Sequence, residues 1–146
     1  MEIDTPIRNY ISDHRVARLA TADPSGRPSV IPICYAFDGS TFYSPIDRKP
    51  KSVKANELKR VRNIEGNKYV CLVIDDYSDD WNELSYVQIS GTAEMIEPGH
   101  ERQEEHKRAV RMLRDKYVQY RSMDIDRTPM IKITPTRLKA WRANRN

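Results

Sequence analysis

The residues best equipped for chemistry in this chain are charged, and they come in blocks. Between positions 48 and 62 stand seven bases (Arg48, Lys49, Lys51, Lys54, Lys59, Arg60 and Arg62) against one acid, Glu57. Pro50 suits the first turn of a helix, where backbone N–H groups are unpaired and the dipole is positive. Lys49 and Lys51 flank that start, and Lys59, Arg60 and Arg62 follow one to three turns on. Point charges, a guanidinium fork and a helix terminus together form a phosphate-binding arrangement. Taken alone, the block fits a cofactor phosphate, a nucleic-acid backbone or a plain solvated helix flank. Positions 75–83 carry the opposite charge: Asp75, Asp76, Asp79, Asp80 and Glu83, with no base. They lack the glycine and terminal glutamate of an EF-hand loop and read as a solvated acidic turn. A third block, 101–121, mixes seven bases with four acids at helical spacing, the pattern of a solvated helix laced with ion pairs.

Several chemistries find no residues to carry them. His14, His100 and His106 are scattered, and no His/Cys spacing resembles a zinc or iron site, so no metal is expected. Neither G-x-S-x-G nor a Walker-type loop occurs, and five glycines supply no Gly-rich phosphate cradle. Cys34 and Cys71 fall inside apolar strand patterns, where core packing is the default. Two cysteines make no disulfide framework and suit a reducing compartment, so a cytoplasmic protein is expected. The longest nearly apolar run, 30–37, falls well short of the ~20 residues of a membrane span. The first residues, Met1-Glu2-Ile3-Asp4, lack the basic and apolar regions of a signal peptide.

The elements that must position the charged residues read as one domain over 1–146. A short helix is expected at 6–13 and a strand at 16–21. Turn residues at 23–26 lead into a strand at 29–37, with Pro32 implying an edge, a bulge or ligand-facing backbone. Asp38-Gly39 signals a hairpin into 41–44. Residues 50–65 read as a helix with Val53, Leu58, Val61 and Ile64 on one side. The apolar run 69–74 reads as a strand buried on both faces. Along 84–96, Val87, Ile89, Ala93 and Met95 face one way and Tyr86, Gln88, Ser90, Thr92 and Glu94 the other. A helix after Pro98-Gly99 carries Val110, Leu113, Tyr117 and Tyr120 on one stripe, and two short strands, 130–133 and 137–141, flank Thr134-Pro135. Six or seven strands, early hairpins and two longer helices favour an antiparallel barrel with flanking helices over a doubly wound sheet.

The order of motifs adds a family. Val-Ala-Arg-Leu-Ala-Thr (16–21), Gly-Arg-Pro (26–28), Val-Ile-Pro-Ile (30–33) and Asp-Gly-Ser-Thr-Phe-Tyr-Ser (38–44) come first. Arg-Asn-Ile (62–64), Val-Cys-Leu-Val-Ile-Asp-Asp-Tyr (70–77), Asp-Asp-Trp (79–81) and Tyr-Val-Gln-Ile-Ser-Gly-Thr-Ala-Glu (86–94) follow. In this order and spacing they resemble the pyridoxamine 5′-phosphate oxidase-like flavin- or deazaflavin-dependent oxidoreductases. Lys-Pro-Lys and Tyr-x-x-Asp-Trp point to the coenzyme F-420-dependent branch. The resemblance implies a split β-barrel, α+β but mainly β, forming a homodimer with cofactor sites at the interface. It implies FMN or coenzyme F-420 as cofactor, with Val30, Ile31 and Pro32 against the ring and Tyr43 and Ser44 at the ring edge and ribityl chain. It maps the phosphate grip to Lys59 and Arg60, with Lys49 and Lys51 as the competing pair. Tyr86 takes the place of a ring-contacting glutamine, and Trp141 and Arg142 match late positions of the family. The chain lacks the C-terminal arginine-rich motif of true pyridoxamine phosphate oxidases, so pyridoxal phosphate synthesis is not expected.

The expected activity is hydride transfer between the bound cofactor and a small organic substrate, with the protein anchoring phosphate and orienting the ring. One rival is a non-catalytic barrel that holds flavin or haem. Another is a nucleic-acid-binding barrel; the aromatics lie in strand patterns and are not interleaved with the basic block, which argues against it. No nucleic-acid or membrane partner is therefore expected. The overall charge of +4 resolves into +6 at 48–62 and −5 at 75–83, a pattern for one phosphate site.

Overall fold

Alternation of apolar and polar side chains builds the sheet that dominates this protein. The computed structural model describes residues 1–47, 58–99 and 101–143. In β1 (Ala17–Ala22), Ala17, Leu19 and Thr21 are buried and Arg18 is exposed. β2 (Pro28–Ile33) pairs with it antiparallel, from Ala17 opposite Ile33 to Ala22 opposite Pro28. Asp23 shapes the intervening turn, its carboxylate accepting from the backbone N–H groups of Ser25 and Arg27 at 2.9 Å each. Then come β3 (Ala36–Phe37), β4 (Phe42–Pro45), β5 (Tyr69–Asp76), β6 (Ser85–Ile96) and β7 (Met130–Arg142). The strands form one antiparallel sheet in the order β2-β1-β5-β6-β7-β4-β3. Its two edge strands, β2 and β3, are joined through only Cys34 and Tyr35, so the sheet curls back on itself as a split barrel.

The concave face holds the core. Leu19, Leu72, Ile74, Ile89 and Ile133 are fully buried there. They pack with Ile11 of α1 (Thr5–Asp13) and with Val61 and Ile64 of α2 (Lys59–Gly66). A second cluster lies under α3 (Gln103–Lys116), whose Ala109, Val110 and Leu113 cover Ala36, Tyr43 and Met130. Full burial of one such aliphatic side chain contributes about 1.5–3 kcal/mol. Tyr35 ties the two regions together: its hydroxyl donates to the Ile11 carbonyl at 2.5 Å, and its N–H donates to the Tyr117 hydroxyl at 3.1 Å.

The architecture agrees with the expected split barrel, and four elements differ in detail. The strand expected over 29–37 is two, because Cys34 and Tyr35 turn the chain from one sheet edge to the other. β5 is not buried on both faces: Val70, Leu72 and Ile74 are buried, while Cys71 and Val73 are half-buried and Tyr69 is 67% exposed. The two last strands are one 13-residue strand, β7. Pro135 fits inside it because the β6–β7 register shifts between Ser90 and Gly91. Tyr117 and Tyr120 lie beyond α3, at the 3-10 turn Val118–Ser122, yet both remain buried. The first part of the helix expected at 50–65 falls outside the described residues.

Candidate functional site

Among the described residues, Arg60 is the best-placed group for holding an anion. It sits in the first turn of α2, whose Val61, Asn63 and Ile64 point into the core. Asn63 fixes the helix to β1, its side-chain amide donating to the Thr21 hydroxyl at 3.0 Å. That anchoring carries Arg60 inward, and its Nε is buried with no hydrogen-bond partner among the described residues. Burial works against its charge, while the nearby Asp47 carboxylate acts to retain it. The side chain as a whole is half-buried, but a buried donor left unmet is costly unless an acceptor arrives. A phosphate supplies several such acceptors. Lys59, beside it, is exposed. Lys49 and Lys51, the competing pair, lie outside the described residues.

The β2 positions divide by face. Val30, 64% exposed, and Pro32, also exposed, lie on the outer side of the sheet, whereas Ile31 packs against the core. Among the described residues β2 pairs only with β1, so its other edge presents unpaired backbone groups, and Pro32 has no N–H to lose there.

Tyr43 is buried under α3, Ser44 is buried on the other face of β4, and both use their hydroxyls internally. Ser44 Oγ donates to the Cys34 carbonyl at 2.8 Å. Tyr43 donates to Glu105 Oε2 at 2.6 Å and accepts from Arg108 Nη2 at 3.3 Å. Burial, followed by the bond to Glu105, pushes the Tyr43 hydroxyl well above the ordinary tyrosine range, so it stays protonated.

Tyr86 and Trp141 are cross-strand partners on the outer face, with their rings stacked at 5.6 Å. Trp141 is partly exposed and Arg142 exposed beside it. Arg142 also lies over the Tyr10 ring, 5.8 Å from its centroid.

These groups do not converge within one chain. Tyr86 is near the start of β6, whereas Arg60 lies toward the other end, where Ile96 pairs with Met130 and Met130 with Pro45. β6 is 12 residues long, about 40 Å at 3.3 Å per residue. The aromatic pair therefore stands toward the opposite end of β6 from Arg60.

Asp47 and Tyr120 beside Arg60 were not among the sequence candidates, and no local spacing links them to α2. His106 is buried and bonds through Nε2 to the Thr128 carbonyl at 2.7 Å, as a structural histidine does. Among the described residues, no cluster of three or more His, Cys, Asp or Glu side chains is arranged to hold a metal. None of the described helices is long and apolar enough to cross a membrane.

Comparison with known proteins agrees with this architecture. The family model described as pyridoxamine 5′-phosphate oxidase matches residues 3–142. Among curated proteins, no sequence matches this chain. Among solved structures, a conserved hypothetical protein from Mycobacterium tuberculosis superposes with a TM-score of 0.77 at 18% identity, covering 98% of this chain and 86% of that one. The haem storage protein from Vibrio cholerae gives 0.70 at 14% identity, covering 97% and 95%. An F420 reductase gives 0.65 at 18% identity, covering 94% and 98%. At these identities the solved structures speak for the fold.

Proposed function

The chain belongs to the pyridoxamine 5′-phosphate oxidase family, and from that premise we propose an oxidoreductase that transfers a hydride between bound FMN or coenzyme F-420 and a small organic substrate. The observation that carries this reading is Arg60, a half-buried side chain whose buried Nε lacks an acceptor among the described residues. In such an enzyme the bound ring supplies the redox chemistry, and the protein anchors, orients and covers it. Arg60 and Lys59 hold the phosphate, with Lys49 and Lys51 as the second candidate pair. The edge strand β2 offers its free backbone and the outward side chains of Val30 and Pro32 to the ring. Tyr43 and Ser44 act from behind, tying β4 to α3 and to the β2–β3 connection.

The protein works as a homodimer in this reading. Ala20, Ala22, Cys71, Val73 and Val30 share the outer sheet face, the first four half-buried and Val30 exposed. A second copy buries that face. It also brings its own Tyr86 and Trp141 to the cofactor.

A haem-holding role has less support, because His14 and His106 both engage protein acceptors. His14 Nε2 lies 2.8 Å from Asp76, and His106 is bonded to Thr128. Equilibrium titration with FMN and with F-420 tests the proposal. Lys59→Ala/Arg60→Ala is expected to weaken binding of the preferred cofactor at least tenfold. Loss only in Lys49→Ala/Lys51→Ala would move the phosphate to the earlier pair. Absence of binding to either cofactor would refute the reading.

A further inference from the structure

The segment that leads from the 3-10 turn Val118–Ser122 to β7 folds around a pocket of about 350 Å³. That volume lies within the range of small-molecule sites, roughly 300–1,000 Å³. Its walls are Ser122, Met123, Asp124, Ile125, Arg127 and Thr128, none of which serves the cofactor in the reading above. The segment is held from outside by α3 and by the end of β4. Arg114 donates from Nε to the Tyr120 carbonyl at 3.0 Å and from Nη2 to the Met123 carbonyl at 2.9 Å. Its Nη2 and Nη1 also reach both carboxylate oxygens of Asp126, at 2.8 and 3.2 Å. His106 Nε2 bonds to the Thr128 carbonyl, and the Ile46 N–H donates to the Pro129 carbonyl at 3.2 Å. The pocket is thus preformed, so little ordering opposes a ligand. One wall group is unmet: Thr128 is 1% exposed, and its Oγ1 has no hydrogen-bond partner among the described residues. A buried hydroxyl without a partner is costly.

We propose that this pocket binds a nucleoside. The charges around it cancel: Arg114 neutralises Asp126, and Arg127 Nε lies 3.9 Å from the Asp124 carboxylate. The walls therefore select neither an anion nor a cation. Met123 and Ile125 offer apolar surface to a flat heteroaromatic base, and a thioether adapts well to such a ring. The Arg127 side chain, 86% exposed, is placed to cover the other face of the base with its planar guanidinium. Asp124 is an acceptor-only group with two oxygens, suited to the paired hydroxyls of a ribose. Ser122 Oγ donates to the Gln119 carbonyl at 3.3 Å, which leaves its lone pairs for a ligand donor. The Thr128 hydroxyl receives the partner it lacks. A free sugar would find no aromatic platform among the described lining residues. A purely apolar molecule would strip water from Asp124 and leave Thr128 unmet.

Titration of the full chain with adenosine, followed by the methyl NMR signals of Met123 and Ile125, tests the assignment. Saturable shifts of both methyls are expected, with a dissociation constant of about 1 mM or lower. Thr128→Val and Asp124→Asn should each weaken adenosine binding at least tenfold. Thr128→Val replaces an unmet hydroxyl by a methyl of similar shape, so its Tm without ligand should not fall. Asp124 is exposed, and its variant tests the pocket even if Thr128→Val fails to fold. Ribose alone should bind at least tenfold more weakly than adenosine, and saturating FMN should leave adenosine binding unchanged. No binding, shifts confined to other parts of the chain, or parent-like affinity in Asp124→Asn would overturn the inference. So would displacement of adenosine by FMN, which would put the nucleoside in the cofactor's site.

Discussion

Glu105 is where α3 is fastened to the barrel. Its carboxylate accepts from Tyr43 at 2.6 Å, from Lys132 Nζ at 2.7 Å and from Arg102 Nη2 at 2.7 Å. Burial alone would raise its pKa, but the bonds from Lys132, Tyr43 and Arg102 outweigh that effect and hold it at about 2. Its ordinary value is 4.5. The group therefore contributes stability that is fully present above pH 4.5 and lost as pH falls toward 2. At 1.36 kcal/mol per unit, that contribution is of order 3 kcal/mol. Glu105→Gln should lower urea-unfolding stability at pH 7 by about 2 kcal/mol and flatten its loss below pH 4.5. Lys116 behaves oppositely. Burial lowers its pKa to about 8 from 10.5, and its Nζ has no hydrogen-bond partner among the described residues. The Tyr35 ring 3.9 Å away favours the ammonium, but less than burial opposes it. Between pH 8 and 10.5 the unfolded chain binds more protons than the folded one, so this group makes stability rise across that window. Lys116→Met should raise the neutral-pH Tm by several degrees, an effect of about 1 kcal/mol, and remove the rise. A variant less stable than the parent at pH 7 would contradict the assignment.

Most strands, and the faces of β1 and β6, follow from alternation that can be read along the chain. β7 does not, because Pro135 breaks the pattern and its tolerance depends on what lies opposite. The reason is Gly91: a Cβ there would run into the Thr134 carbonyl oxygen, so β6 and β7 approach closely where their register shifts. Gly91→Ala should cost about 2–4 kcal/mol by forcing the strands apart, measured as a drop in the urea midpoint. The site was legible only in part for a similar reason. Periodicity places Tyr86 on the outer face of β6 and Lys59 and Arg60 on α2, but it does not say that they stand at opposite ends. Nor does it show that Tyr43 and Ser44 spend their hydroxyls on Glu105 and the Cys34 carbonyl. Asp47 reaches Arg60 because β4 ends near α2, a proximity created by the fold and absent from local spacing.

In the whole molecule, the net charge of +4 conceals a polar arrangement, with an acidic aromatic turn at one end of the sheet and a basic helix at the other. In the proposed reading, Tyr86 and Arg60, toward opposite ends of β6, serve one cofactor site only when a second copy completes it. In the same reading Arg60 receives the cofactor's phosphate. Its most direct test is a comparison of Arg60→Ala with the parent, using the tighter-binding of FMN and F-420 and the same ring system without phosphate. Those counterparts are riboflavin for FMN and the deazaflavin lacking its phospholactyl tail for F-420. Arg60→Ala should bind the phosphorylated cofactor at least tenfold more weakly and the phosphate-free ring nearly as well as the parent. Equal losses for both ligands, or no loss for either, would contradict it.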